Sequence, residues 1–112
     1  MLSLAPGDVV FAPFPFEEDA TVFKNRPCLV LAVRGDTNTF LAAKLTTTRL
    51  ECYWAVPLKA GTSEVSSGSI LKDSWINLNR REWLDLNSCI YKLATLKGEI
   101  FEYIVLKMSG LE

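Results

Sequence analysis

Apolar residues along the chain fall into short runs split by turn-forming residues, and only the last run changes period. "GDVVFAPFPF" (7–16) starts at a Gly-Asp turn and is rich in Val and Phe. It predicts a strand from Asp8 to Ala12, which Pro13 and Pro15 end or confine to a sheet edge. "EEDATVFKN" (17–25) is polar and acidic and predicts a mobile loop. "RPCLVLAVRG" (26–35) predicts a strand whose continuous apolar run implies cover on both faces. "TNTFLAAKLTTT" (37–48) and "ECYWAVPL" (51–58) predict a third and a fourth strand, on their aromatic and β-branched content. "KAGTSEVSSGS" (59–69) reads as a loop. "ILKDSWINLN" (70–79) and "SCIYKLATL" (88–96) each contain a strand, with "RREWLDL" as an irregular connection that includes a helical turn.

In the final segment Ile100, Tyr103, Ile104 and Met108 lie three or four apart, which makes one helical stripe facing a core. Thr95 is the N-cap candidate, Glu99 suits the first turns, and Gly110 is the expected stop. The fold class that results is mainly β: one domain over residues 1–112, a small barrel of five to seven short strands closed by one C-terminal helix.

Composition narrows the possible functions. A chain of 112 residues that is 49% hydrophobic and 22% charged can bury a core without metals or disulfides. The net charge of −1 argues against strong non-specific nucleic-acid binding but leaves room for a local basic site. There is no histidine, which removes imidazole bases, Ser-His and Cys-His pairs, and His-ligated metals. Three cysteines without close spacing read as reduced core residues. "MLSLAPGD" lacks the features of a signal peptide and no apolar run spans a bilayer, so a cytoplasmic protein without membrane contact is expected.

Three stretches could carry chemistry. In "KNRPCLVLAV" (24–33) Arg26 stands at the mouth of a strand, just ahead of Pro27, whose ring stiffens the backbone. A guanidinium held this way matches a phosphate; the plain alternative is a surface ion pair with Glu17, Glu18 or Asp19. "TTTR" (46–49) offers three hydroxyls and a cation, or simply a turn. "WINLNRREW" (75–83) mixes tryptophans with Asn77, Asn79, Arg80 and Arg81. Aromatics beside basic residues suit single-stranded RNA, whereas the same residues also divide naturally into core and solvated faces.

Together these stretches resemble the MazF/PemK toxins. "GDVVFAPFPF", an acidic loop and "KNRPCLVLA" are similar to that family's opening. "AKLTTT" (43–48) falls where the family ends its third strand, with Thr46 on its threonine and Thr47 on its serine. "VPL" (56–58) and "SGSILKDSWINL" (67–78) match two further regions. The likeness covers nearly the whole chain and is most specific in its first third.

The resemblance implies an SH3-like barrel with a terminal helix, a two-fold homodimer, and a toxin-type endoribonuclease (an mRNA interferase). Such an enzyme cuts single-stranded RNA without metal or cofactor and is inhibited by a cognate antitoxin threaded across the groove. It places catalysis on Arg26 and Thr46, and RNA contacts on Lys24, Thr47, Thr48, Arg49, Asn77, Asn79 and Arg80. Asn77 and Asn79 stand where the family carries charged groups, if "REWLD" is aligned with its "R-T-I-D"-like turn. The general base is unassigned, with Asp8, Glu17 and Asp73 as the carboxylates to inspect. A catalytically inactive RNA- or protein-binding barrel is the alternative, and a ligand-binding barrel unrelated to RNA a third. The aromatic content also suggests that Phe14, Phe16 and Trp83 do not all fit one core, which favours a dimer with residues 17–25 as a lid.

Overall fold

The computed structural model describes residues 3–110. Among these residues seven strands form one antiparallel sheet: β1 (Asp8–Pro15), β2 (Phe23–Arg34), β3 (Thr39–Thr46), β4 (Ala55–Leu58), β5 (Val65–Gly68), β6 (Ser74–Asp85) and β7 (Tyr91–Leu96). Their order across the sheet is β4-β6-β3-β2-β1-β7-β5. The sheet is not closed, because β4 and β5 are its two edges. Helix α1 (Gly98–Ser109) follows β7.

Alternation along the strands builds a core on each face of the sheet. Val9, Leu29, Ala43, Leu45, Ile76 and Leu78 belong to one cluster, into which α1 inserts the fully buried Ile104. Val10, Ala12, Phe14, Cys28, Val30, Phe40 and Ala42 belong to the other. The apolar run of β2 is thus covered on both faces. Phe14 is fully buried, whereas Trp83 is 48% exposed beneath the Arg34 guanidinium, so Phe14, Phe16 and Trp83 do not all share one core.

Several elements differ from the sequence reading. β1 runs on through both prolines to Pro15. Phe11 accepts from Ile90 N–H through its carbonyl, while Phe16 N–H bonds to Val22 across the hairpin. Odd positions of β1 therefore turn their backbone toward β7, which pairs no further than Phe11. Pro13 and Pro15 sit where no ladder donor is required. The hairpin thus continues the pairing, and β2 starts at Phe23, so Phe23 to Asn25 belong to a strand rather than to a lid. The turn before it is shaped by Asp19, which accepts from the backbone and hydroxyl of Thr21.

"RREWLD" is strand, not an irregular link: Ala43 pairs with Arg81 and Thr39 with Asp85, and only Leu86–Ser88 form a 3₁₀ turn. Arg81, Trp83 and Asp85 are exposed while Glu82 and Leu84 between them are more buried, an alternation that the adjacent apolar pair Trp83-Leu84 masks in the sequence. "VSSG" (65–68), read as loop, is β5. Gly68 has φ +72, and a Cβ there would lie 2.2 Å from the Leu93 carbonyl oxygen, so only glycine lets β5 approach β7 this closely. Thr95 does not cap α1. It lies in β7 and donates to Asp8, while Lys97 precedes the helix. Gly110 ends the helix in the left-handed region, with φ 73.

Candidate active site

The arginine–proline pair within β2, paired with β1 but past the end of the β3 ladder, opens a cleft. Leu29 pairs with Ala43, and Cys28 with Lys44, where the β2–β3 ladder stops. The next pair would join Pro27 to Leu45. Gly7 N–H bonds to Val30, which puts the even positions of β2 toward β1 and the odd ones toward β3. Pro27 is therefore the residue that would donate to β3, and it has no N–H. The two strands part there. Asn25, Arg26, Pro27, Leu45, Thr46, Thr47, Thr48 and Ser74 line the resulting cleft of about 220 Å³. An apolar pocket of about 150 Å³ adjoins it and shares Pro27, Leu45, Thr47 and Ser74.

Arg26 is half-buried on β2, its backbone paired with Ala12. Among the described residues no carboxylate comes within ion-pair distance of it. The surface ion pair with Glu17, Glu18 or Asp19 is not formed. Thr46 closes β3 and pairs with Trp75 on β6. Its Oγ1 accepts the Thr48 N–H at 3.1 Å, a side-chain turn that leaves the hydroxyl proton free to donate. Thr47 and Thr48 are exposed at the rim.

The same face of the sheet carries further cations. Lys44 is two residues before Thr46 and lies opposite Cys28 on β2 and Asn77 on β6. Burial, then the charges of Arg26 and Arg80, hold its pKa below the ordinary lysine value, with Glu17 and Glu18 acting the other way. Arg80 is reached through an irregularity in β6, which inserts residues 78–80 between the pairs Ala43–Arg81 and Lys44–Asn77. Asn77 supports that bend by accepting the Asn79 N–H at 3.0 Å. Arg80 then donates to the Pro15 carbonyl and to Glu82, and its guanidinium lies 5.1 Å from the Phe14 ring centre. These contacts give Arg80 a structural role beside any RNA contact.

The remaining candidates are scattered. Lys24 is exposed on β2, paired with Phe14. Arg49 is paired with Glu51 at 3.1 Å, in solvent. Asn79 is exposed. Of the carboxylates, Asp8 is buried and engaged with Ala5 N–H, Thr95 and Lys92, and Asp73 accepts the Ala60 N–H. Both hold the fold together. Glu17 lies close enough to Lys44 to raise its pKa. Cys28 is buried, Cys89 half-buried and Cys52 exposed, so the expectation of three core cysteines holds only for the first. All three are free thiols.

Sequence reading missed Lys44 and Ser74. The alternation of β3 would have found Lys44, since Phe40, Ala42, Lys44 and Thr46 share one face. Ser74 is buried, donates to the Lys72 carbonyl, and lines both pockets, a role no local pattern announces.

Residues 5–108 match the sequence model of the family described as "PemK-like, MazF-like toxin of type II toxin-antitoxin system". The chain belongs to this family of toxins. Among solved structures it is similar to a mycobacterial endoribonuclease in complex with its cognate antitoxin. That match has TM-score 0.71 and 16% identity and covers 97% of this chain and 94% of that one. It is also similar to a second mycobacterial endoribonuclease, with TM-score 0.68, 18% identity, and 99% and 92% coverage. The Mycobacterium tuberculosis toxin MazF-mt6 matches with TM-score 0.64, 13% identity, and 91% and 94% coverage. No curated protein sequence gives a significant match.

Proposed function

We propose that this toxin is an endoribonuclease that cuts single-stranded RNA in the cleft between Arg26 and Thr46. The observation that carries the reading is the parting of β2 and β3 at Pro27, which brings an arginine without an ion pair and a threonine with a free hydroxyl proton to one cleft. RNA supplies its own nucleophile. The 2′-oxygen attacks the adjacent phosphorus, the bond from phosphorus to the 5′-oxygen breaks, and a 2′,3′-cyclic phosphate and a 5′-hydroxyl result. Such a reaction needs in-line positioning and neutralisation of the charge gathering on the phosphorane. Arg26 supplies the charge, and Thr46 donates to a phosphate oxygen. Arginine, with a pKa above about 12, is not the base.

Structural similarity to an endoribonuclease bound to its cognate antitoxin supports a cognate antitoxin as the inhibiting partner. The working form is a homodimer in the cytoplasm, where single-stranded mRNA is available. No helix among the described residues is long and apolar enough to cross a membrane.

Incubation with a long single-stranded RNA in the presence of EDTA tests the reading. Fragments ending in 2′,3′-cyclic phosphate are expected, and RNA bound tightly but left intact would overturn it. That second outcome is the mark of a non-catalytic RNA-binding protein of the same fold. One observation favours such a protein: among the described residues no carboxylate lines the cleft.

A further inference from the structure

We propose that Lys44 is a further catalytic residue, its ammonium contacting the phosphate that Arg26 and Thr46 hold. The inference rests on the endoribonuclease reading of the cleft. Lys44 and Thr46 share one face of β3, two residues apart. Across the sheet Lys44 faces Cys28, and Arg26 is the next residue of β2 on that face. Cys28 is buried and its thiol donates to the Arg26 carbonyl, so it contributes no counter-charge.

On the other side Lys44 faces the neutral Asn77, with Arg80 beyond it. The Arg80 charge is taken up by Glu82. Glu17 and Glu18 follow β1 and act on Lys44 from a distance. Among the described residues, neither they nor any other carboxylate forms an ion pair with it.

A half-buried ammonium beside two guanidiniums and without an ion pair is an arrangement that folding alone disfavours. The phosphodiester anion of RNA, and still more the dianionic phosphorane formed from it, relieves it when held between Arg26 and Lys44. Part of Lys44's charge is already strained, as burial and the neighbouring arginines depress its pKa from 10.5. In the RNA-free protein the ammonium is therefore lost at lower pH than an ordinary lysine's, so cleavage at subsaturating RNA falls in the alkaline range.

Single-turnover cleavage of RNA across the alkaline range, with wild type, Lys44→Met and Lys44→Arg, tests the proposal. Lys44→Met is expected to lose about a hundredfold in rate, as for removal of one positioned donor. Lys44→Arg should recover most of it and lose the alkaline fall that wild type shows, since arginine keeps its charge. Lys44→Met within threefold of wild type overturns the proposal and leaves the endoribonuclease reading standing. A Lys44→Arg variant that stays inactive, or that keeps the alkaline fall, also overturns it.

If wild type cuts no RNA, the endoribonuclease reading fails, and binding of an uncleavable 2′-O-methyl RNA decides on Lys44. A salt slope shallower by about 0.7 in Lys44→Met supports the phosphate contact. An unchanged slope, or no binding by wild type, overturns it.

Discussion

The backbone N–H of Thr48 donates to the hydroxyl oxygen of Thr46 at 3.1 Å, at the point where β3 ends and the cleft begins. This bond occupies one lone pair and leaves the hydroxyl proton for an acceptor in the cleft. Thr46→Val keeps the side-chain shape and removes both functions, so cleavage should slow by about a hundredfold. Thr46→Ser should stay within several-fold of wild type, because the same oxygen can form both bonds. Thr48→Val should be close to wild type, since Thr48 contributes its backbone. Single-turnover rates for the three variants check this, and a larger loss at Thr48 than at Thr46 would contradict it.

Arg26 makes no ion pair among the described residues, so its removal takes no such contact from the fold. Arg26→Ala should abolish cleavage, by about a hundredfold or more, while urea unfolding shifts by less than about 1 kcal/mol. Arg26→Lys should also be poor, because an ammonium lacks the fork of donors. Paired kinetic and denaturation measurements separate this from a structural role. Loss of activity in step with loss of stability would assign Arg26 to the fold instead.

Pro27 withholds the donor that would extend the β2–β3 ladder. Pro27→Ala restores an N–H opposite Leu45, and the strands can then pair one step further and narrow the cleft. The gained hydrogen bond, about 0.5–1.5 kcal/mol, offsets the entropy that proline removed from the unfolded chain, about 0.4–1 kcal/mol. Stability should therefore change little while cleavage slows about tenfold or more through lost positioning. Hydrogen exchange should find the new amide at position 27 protected. A freely exchanging amide would show that the ladder ends there for another reason.

Much of this was legible in the sequence because strand alternation and turn residues are local signals. The buried run of β2, the stripe of α1 and the stop at Gly110 follow from them directly. What stayed hidden depends on partners distant in sequence. β1 tolerates Pro13 and Pro15 only because β7 ends its pairing at Phe11. β5 exists only because Gly68 can press against Leu93. At the candidate site, the motifs point to Arg26 and Thr46, which the structure brings to one cleft. Lys44 was passed over, since its meaning comes from sharing a face with Thr46 and a rung with Cys28. Asp8, which looked like a candidate base, is committed to Thr95 at the far end of the chain.

Cys28 supplies the last prediction. Its thiol is buried between the two core-facing strands β1 and β3 and donates to the Arg26 carbonyl at 3.4 Å. Burial first, with Cys89 adding to it, pushes its pKa from 9.0 up to about 12, against the smaller opposing pull of Arg26 and Lys44. Below pH 9 the thiol is protonated in both folded and unfolded chains, and its contribution to stability is fully present. From about 9 to about 12 the unfolded chain releases the proton while the folded chain retains it, so stability falls as pH rises. Denaturant unfolding followed from neutral to alkaline pH should show this fall, and Cys28→Ala should reduce its slope. Titrations of the remaining groups are common to both proteins and cancel in the difference. Thiol reagents near neutral pH should give a matching order. The exposed Cys52 reacts first, the half-buried Cys89 more slowly, and Cys28 only when the sheet opens. Equal alkaline slopes in the two proteins, or prompt modification of Cys28 in the folded state, would show that the strand carrying Arg26 is not held as rigidly as this packing requires.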